Sequence, residues 1–99
     1  MSARIGDVQG YEGFYKVHSD GSVRTVPSRF RPERVLEDSL DAYGYVHNRY
    51  YGNTGTHFLH RHTVVATAFI PNPWDYPVVV HLNGNKQDNR VQNLEWSAV

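Results

Sequence analysis

Alternating polar and hydrophobic positions in the first two thirds of the chain predict two antiparallel hairpins. The stretch 14–26 has two runs of aromatic and β-branched residues on either side of the polar turn 19–22, where Gly21 tolerates a tight-turn conformation. The stretch 45–61 repeats this pattern around a second glycine-containing turn at 52–55. Each stretch is therefore predicted to form a β-hairpin.

The pattern changes in the last third of the chain. Apolar residues in 62–70 recur at a helical spacing, and the prolines of 71–73 end that segment. An apolar run at 77–82, the asparagine-rich turn 83–85 and an extended piece at 91–96 follow. The predicted fold class is α+β, with antiparallel β-hairpins, a short helix and a third hairpin-like unit.

The composition is that of a single globular domain without cysteine chemistry or a membrane span. The chain has 99 residues, 39% of them hydrophobic and 20% charged, which predicts one globular domain spanning 1–99. The absence of cysteine excludes disulfide scaffolds, cysteine-based zinc fingers and thiol chemistry. No apolar run approaches the roughly 20 residues of a membrane span, and no secretory signal is evident. The expected location is the cytoplasm, with no membrane partner.

Charge is balanced overall but unevenly distributed. Ten Lys and Arg offset ten Asp and Glu, which argues against tight non-specific DNA binding. Four arginines nevertheless lie close together in sequence, and acidic residues follow at once. The arginines are Arg24, Arg29, Arg31 and Arg34. They predict either a nucleic-acid-binding face or a solvated loop of mixed charge.

Histidines and tryptophans offer further candidate sites. Two of the histidines His57, His60 and His62 would share a face of a strand and could hold zinc, although polar residues on an edge strand are the simpler interpretation. Trp74 and Trp96 are expected to pack in the core or at its edge, with stacking on a nucleic-acid base as the alternative.

Two motifs occur in the order typical of one family. Residues 10–24 read GYEGFYKVHSDGSVR, and residues 80–96 read VHLNGNKQDNRVQNLEW. The chain thereby resembles phage-type HNH homing endonucleases that carry a NUMOD4 element, and the resemblance covers about residues 8–96. It implies a NUMOD4-like hairpin region at 8–30 and an HNH-like region at 58–99.

The resemblance implies a ββα-metal site. His81 matches the general base, and Asn93 matches the central asparagine that orients the base or braces the loop. His62 matches the histidine that starts the helix, where the family usually continues with Arg and this chain has Thr63. Further matches to the frame of the motif are Gly84, Asn89, Leu94 and Trp96. Without the resemblance, His81 would be interpreted as a polar residue at a strand rim, and the asparagines as turn residues.

Two departures from the family pattern point to impaired catalysis. Val80 stands where the family has a metal ligand, and a valine side chain offers no lone pair. The chain ends at Val99, so the helix that carries the family's last ligand is expected to be missing. No protein ligand for a metal is therefore predicted, and no cofactor, except Mg²⁺ or another divalent cation if the protein is active.

Three functions remain open at this point. The first is a catalytically impaired binding module for DNA or for a host defence or replication protein, in which case it would act in the host cytoplasm if phage-encoded. The second is an active HNH endonuclease whose site is completed by a partner or a second subunit. The third is a domain relic. DNA is the leading ligand class, a host or phage protein is the alternative partner, and dimerisation is left open.

Overall fold

The computed structural model describes residues 4–53 and 55–99, and within them the chain forms short strands around a single α-helix. No helix in these ranges is long and apolar enough to cross a membrane. A single 3-10 turn, Val91–Asn93, precedes the last strand. The other elements are β1 (Ile5–Asp7), β2 (Tyr15–His18), β3 (Val23–Thr25), β4 (Ser39–Leu40), β5 (Val46–Gly52), β6 (Gly55–His60), α1 (Arg61–Phe69), β7 (Val78–His81) and β8 (Leu94–Ser97).

The strands form three antiparallel sheets, in the orders β1-β2-β3, β4-β5-β6 and β7-β8. The predicted hairpins correspond to β2-β3 and β5-β6, and the predicted C-terminal unit corresponds to β7-β8. The α+β fold class is therefore confirmed. Strands β1 and β4 were not predicted, because each is very short and gains its conformation from pairing with a neighbouring strand.

Helix α1 lies where the three sheets meet, and it contacts strands of each of them. Its residues Val65 and Ala66 are fully buried, together with Val17 and Val23 of the first sheet and Tyr50 of the second. Such burial of small and β-branched side chains supplies most of the stability that a short helix lacks in isolation. The helix thus fixes the relative position of the three sheets.

Arg61, at the start of α1, ties the first hairpin to the second sheet. Its side chain is almost completely buried, and its guanidinium donates to the Gly21 carbonyl oxygen at 3.0 Å and to Asn48 Oδ1 at 2.7 Å. A further contact of 3.3 Å reaches the Asp38 carboxylate. Gly21 has a φ of +93°, and a Cβ there would lie 2.7 Å from the backbone of Asn89. The glycine turn therefore lets the first hairpin touch the loop that follows β7.

Candidate functional site

Strand β7 ends at His81, and a buried asparagine holds this imidazole in place. The Nε2 atom of His81 lies 2.7 Å from Asn89 Oδ1, and Asn89 is only 6% exposed. Because the amide oxygen can only accept, Nε2 carries the proton and Nδ1 keeps a lone pair. His81 is thus oriented as a histidine that can take up a proton at Nδ1.

Asn93 braces the loop between β7 and β8. Its Oδ1 accepts from the backbone N–H of Asn83 at 3.0 Å, and its Nδ2 donates to Asn83 Oδ1 at 3.0 Å and to the Asp88 carbonyl oxygen at 2.8 Å. Of the two functions that the resemblance offered for this residue, its contacts are those of a brace, whereas Asn89 is the residue that orients His81. The predicted catalytic importance of Asn93 stays a prediction.

The only carboxylate within the loop itself, Asp88, is fully engaged. Its oxygens accept from Arg90 Nε and Nη2, both at 2.7 Å, and from Asn83 Nδ2 at 2.9 Å. These hydrogen bonds, chiefly that from Arg90, hold the pKa of Asp88 well below its usual range. The Asp88 carboxylate is therefore an internal counter-ion of the loop.

The rings of three histidines, His60, His62 and His81, gather around Tyr45. The ring centroid of His62 lies 5.0 Å from that of His81, 5.3 Å from that of His60 and 5.1 Å from that of Tyr45. Burial, with His81 and His60 close by, lowers the pKa of His62 to about 4. The Nδ1 atom of His62 is buried and has no hydrogen-bond partner among the described residues. At neutral pH His62 is therefore an uncharged neighbour of His81. We call His60, His62, His81 and Tyr45 the histidine centre.

The turn before β5 closes over the histidine centre. Asp41 Oδ2 lies 2.8 Å from His60 Nε2, and this contact lowers the pKa of Asp41 to about 2. From the opposite side, Lys86 donates to the Tyr43 carbonyl oxygen at 2.9 Å and lies 4.9 Å from the centroid of the Tyr45 ring. The first half of the chain thus supplies part of the histidine centre.

The structure corrects two predictions about the histidines. Helix α1 begins at Arg61, so the histidine directly before the helix is His60, followed by an arginine, and not His62. His57, His60 and His62 also do not lie along one strand. His57 Nδ1 is bonded to the Tyr11 hydroxyl at 2.8 Å instead. His60 and His62 do meet across the strand-to-helix junction, and His62 in turn lies against His81.

The described residues do not fit a divalent cation at the end of β7. Val80 brings no donor atom, and the Asp88 carboxylate is occupied by Arg90 and Asn83. Within residues 4–53 and 55–99, no group of three or more His, Asp or Glu side chains is placed to hold a metal ion. The Val80 side chain and the engaged Asp88 carboxylate therefore offer no free oxygen donor for Mg²⁺.

An exposed basic and aromatic face extends from the histidine centre along β5 and β6. The strand register places His47 opposite His60, Arg49 opposite Phe58 and Tyr51 opposite Thr56, all with outward side chains. The Arg49 guanidinium carbon lies 5.0 Å from the Phe58 ring centroid, and the His47 ring lies 5.2 Å from that of Phe58. We call these six residues the ribbon face.

A groove of about 560 Å³ continues the ribbon face on the side of Tyr51. Arg31, Arg34, Arg49 and Tyr51 contribute to its lining, and no carboxylate belongs to the described residues that form it. Arg29 lies at the tip of the adjoining loop, whereas Arg24 lies in β3 and is paired with Glu33 at 3.3 Å. The structure therefore brings Arg31 and Arg34 together and keeps Arg24 apart in an ion pair.

The two halves of the chain match two different protein-family models. Residues 6–51 match the NUMOD4 motif, and residues 59–98 match an HNH endonuclease family. The solved structure described as "DNA binding and cleavage by the HNH homing endonuclease I-HmuI" superimposes with a TM-score of 0.79 and 28% identity, and the match covers 98% of this chain and 52% of that one.

The chain is thus similar to an HNH homing endonuclease over nearly its whole length. This confirms the resemblance predicted from the sequence motifs. The DNA endonuclease I-HmuI of Bacillus phage SP01 is 33% identical over 91 residues, which are 91% of this chain and 49% of that protein. An uncharacterised HNH endonuclease of Acanthamoeba polyphaga mimivirus is 34% identical over 82 residues, 83% of this chain and 24% of the relative. This HNH chain thus spans about a quarter to a half of the length of these relatives.

Several residues of the site could not be singled out from the sequence. Arg49, Phe58 and Tyr45 look like ordinary strand residues, because only the β5-β6 register reveals which side chains share a face. Arg61 could have been noticed, because a charged residue at the start of a mainly apolar helix must either find a buried partner or be exposed. Asn89 was noted only as part of the frame of the HNH motif.

Proposed function

We propose that this chain is a DNA-binding module of the HNH homing endonuclease family in which the described residues alone do not form a metal-dependent cleavage centre. The ribbon face carries this proposal. It joins the histidine centre to the arginine-lined groove without interruption, so that one ligand could contact both. Double-stranded DNA has the matching chemistry, because it offers phosphates at regular spacing beside base edges and sugars.

The dimensions of the ribbon face suit a duplex. From His47 to Tyr51 the strand rises by about 13 Å, which corresponds to roughly four base pairs. A two-stranded β-ribbon fits the major groove of B-form DNA. Arg49 lies at the middle of the ribbon face, where it can reach a phosphate or a base edge, and Phe58 supports its guanidinium. Arg31 and Arg34 would neutralise phosphates farther along.

Impaired catalysis is supported by the lack of a metal ligand at Val80 and by the engagement of the Asp88 carboxylate with Arg90 and Asn83. A bound cation contributes several kcal/mol to phosphodiester cleavage by offsetting developing charge on the oxygens. A positioned general base contributes roughly 10²–10⁴-fold. His81 alone would therefore leave cleavage slower by several orders of magnitude, since each 1.4 kcal/mol corresponds to about a tenfold change in rate.

The orientation of His81 supports an alternative function as an active endonuclease. Asn89 fixes the protonated Nε2, which leaves Nδ1 able to take a proton from an attacking water. Such an enzyme would need its metal ligands from other residues, either of a second subunit or of a partner. I-HmuI is named as a DNA endonuclease, and its recorded structure concerns DNA binding and cleavage. A protein ligand on the ribbon face is the other alternative.

Binding to a fluorescent 30-base-pair duplex at several salt concentrations tests the proposal. We expect salt-dependent binding that weakens roughly tenfold in the double variant Arg49→Ala/Phe58→Ala, because a phosphate contact and its aromatic support are lost. Trp74→Ala, which removes an exposed aromatic side chain outside the ribbon face, should bind as the unchanged protein does. Absence of binding at low salt, or equal binding by the double variant, would contradict the proposal.

A further inference from the structure

The loop between β3 and β4 carries an exposed aromatic tip. Ser28 and Arg31 pair across a tight turn, with the Ser28 N–H donating to the Arg31 carbonyl oxygen at 2.8 Å and the reverse bond at 3.3 Å. Arg29 and Phe30 are thus the two residues at the tip. The Phe30 side chain is 86% exposed, a higher value than for the other exposed aromatic side chains of the described residues. A solvated phenylalanine held on a paired turn suggests a contact with a ligand.

The surroundings of Phe30 are cationic. The guanidinium carbon of Arg29 lies 5.7 Å from the Phe30 ring centroid, and Arg31 on the other side of the tip lines the groove. Glu33 is the nearest carboxylate in sequence, and it is engaged by Arg24 at 3.3 Å. An aromatic side chain flanked by unpaired arginines fits a polyanion that carries flat apolar surfaces, and duplex DNA has both features.

We propose that Phe30 inserts into a base step of DNA bound along the ribbon face and partly unstacks it, while Arg29 and Arg31 contact the flanking phosphates. This inference depends on the proposed DNA binding. The tip is narrow, because only Arg29 and Phe30 lie between the paired residues Ser28 and Arg31. A narrow tip allows an aromatic ring to enter a groove that a broader loop could not enter. Apolar wedges of this kind kink a duplex by unstacking one step.

Phe30 differs from the exposed aromatic residues Trp74 and Phe58 in its surroundings. Trp74 is 76% exposed, but it lies in a loop that Asn72 closes through hydrogen bonds with Tyr76, and that loop, 71–77, contains no arginine. Phe58 is supported by Arg49 and His47 on a flat strand face, which does not project as a wedge. Phe30 alone among these three residues combines projection with adjacent cations.

Comparison of an intact duplex with a gapped duplex tests the insertion. The probes are a 40-base-pair duplex and the same duplex with a single-nucleotide gap at its centre, in which unstacking is already partly accomplished. We expect the unchanged protein to bind the gapped duplex more tightly. Phe30→Ala should weaken binding to the intact duplex roughly tenfold, because base–aromatic stacking is lost. The preference for the gap should disappear, and Phe30→Trp should restore it.

Matched controls separate this inference from the proposed function. Trp74→Ala should retain both the affinity and the gap preference of the unchanged protein. Equal binding of Phe30→Ala and the unchanged protein to both duplexes would overturn the insertion while leaving DNA binding intact. Failure of the unchanged protein to bind either duplex would overturn both. Because Phe30 makes no buried contact, thermal unfolding of Phe30→Ala should match that of the unchanged protein.

Discussion

Two loops of this protein use their polar side chains in opposite ways. The segment 82–93 between β7 and β8 uses them within itself: Asn83, Asp88 and Asn93 bond one another and the loop backbone, and Asn89 holds His81. The loop 26–35 directs most of its cations outward. Of its arginines, Arg29 lies at the exposed tip and Arg31 and Arg34 line an open groove.

The difference shows which property each region preserves. Internally bonded asparagines fix the position of one imidazole, whatever ligand is present. Outward arginines fix little of the fold, but they provide charge for an anionic ligand. The first region therefore holds one imidazole in a fixed orientation, with its only carboxylate, Asp88, engaged by Arg90 and Asn83. The second region presents its arginine side chains at the surface.

The loop 26–35 follows the first hairpin, whose turn at Gly21 meets the backbone of Asn89. Arg61 ties this hairpin to the second sheet. Replacing the nearly buried Arg61 by methionine should lower the free energy of unfolding by about 3 kcal/mol, because the Gly21 carbonyl and Asn48 Oδ1 lose their donor. Urea unfolding measures the change. The matched variant Arg49→Met, on the exposed ribbon face, should change stability by less than about 0.5 kcal/mol. Equal effects of the two variants would contradict the assignment.

The two buried asparagines should separate loop stability from histidine orientation. Asn93→Ala should cost about 2 kcal/mol, since its side chain makes three hydrogen bonds within the loop. Asn89→Ala should cost less and should release the His81 ring, which imidazole ¹⁵N NMR would detect as a mixture of tautomers. A larger loss for Asn89→Ala, with unchanged His81 signals, would reverse the two assignments.

The fold was predictable wherever a local pattern decides the structure. The glycine turns around 19–22 and 52–55 identified two hairpins, and the helix was displaced by only one residue, to Arg61–Phe69. The strands β1 and β4 were missed, because each has only two or three residues and gains its conformation from pairing with the next strand. Local patterns carry no record of such pairing.

The candidate site was predictable only in part, for a similar reason. The motif around His81 identified the central imidazole. That His62 and Tyr45 lie against this imidazole, with His60 beside both of them, depends on how β5, β6, α1 and β7 meet. The ion pair of Arg24 with Glu33 likewise depends on how the loop 26–35 folds back along β3. Sequence proximity had grouped Arg24 with arginines that the structure leaves unpaired.

Lowering the pH should reduce the free energy of unfolding through His62 in the histidine centre, whereas the arginines of the loop 26–35 keep their charge. Because the pKa of His62 is about 4 in the folded state and near 6.5 when unfolded, the unfolded state takes up the proton first as pH falls. The stability that comes from keeping His62 uncharged is fully present above about pH 6.5, and it is lost as the pH falls toward 4. We expect a loss on the order of 1 kcal/mol between pH 7 and pH 5, since the ring keeps part of its hydration.

The variant His62→Gln serves as the control for that pH range. It should flatten the decline in urea midpoint between pH 7 and pH 5. Asp41, whose pKa is about 2, would act only at lower pH, because its contribution is present above about pH 4 and is lost as pH falls toward 2. A decline that persists unchanged in His62→Gln would refute the assignment.

Pairing should decide how much each arginine contributes to DNA binding. Arg31→Ala removes an unpaired cation from the groove, so the plot of log affinity against log salt should lose about 0.9 in slope. Arg24→Ala also frees Glu33 and should change the slope by a smaller amount, since the ion pair already holds the Arg24 guanidinium. Equal slope changes would mean that sequence proximity, and not pairing, governs this surface.

Plasmid nicking tests the central claim most directly. The chain and its His81→Ala variant would be incubated with supercoiled plasmid and Mg²⁺, Mn²⁺, Ni²⁺ or Zn²⁺, with duplex binding measured on the same samples. The account predicts that both proteins bind DNA and that neither nicks the plasmid faster than the other. Metal-dependent nicking by the unchanged chain, abolished in His81→Ala while binding persists, would contradict the account and establish an active endonuclease.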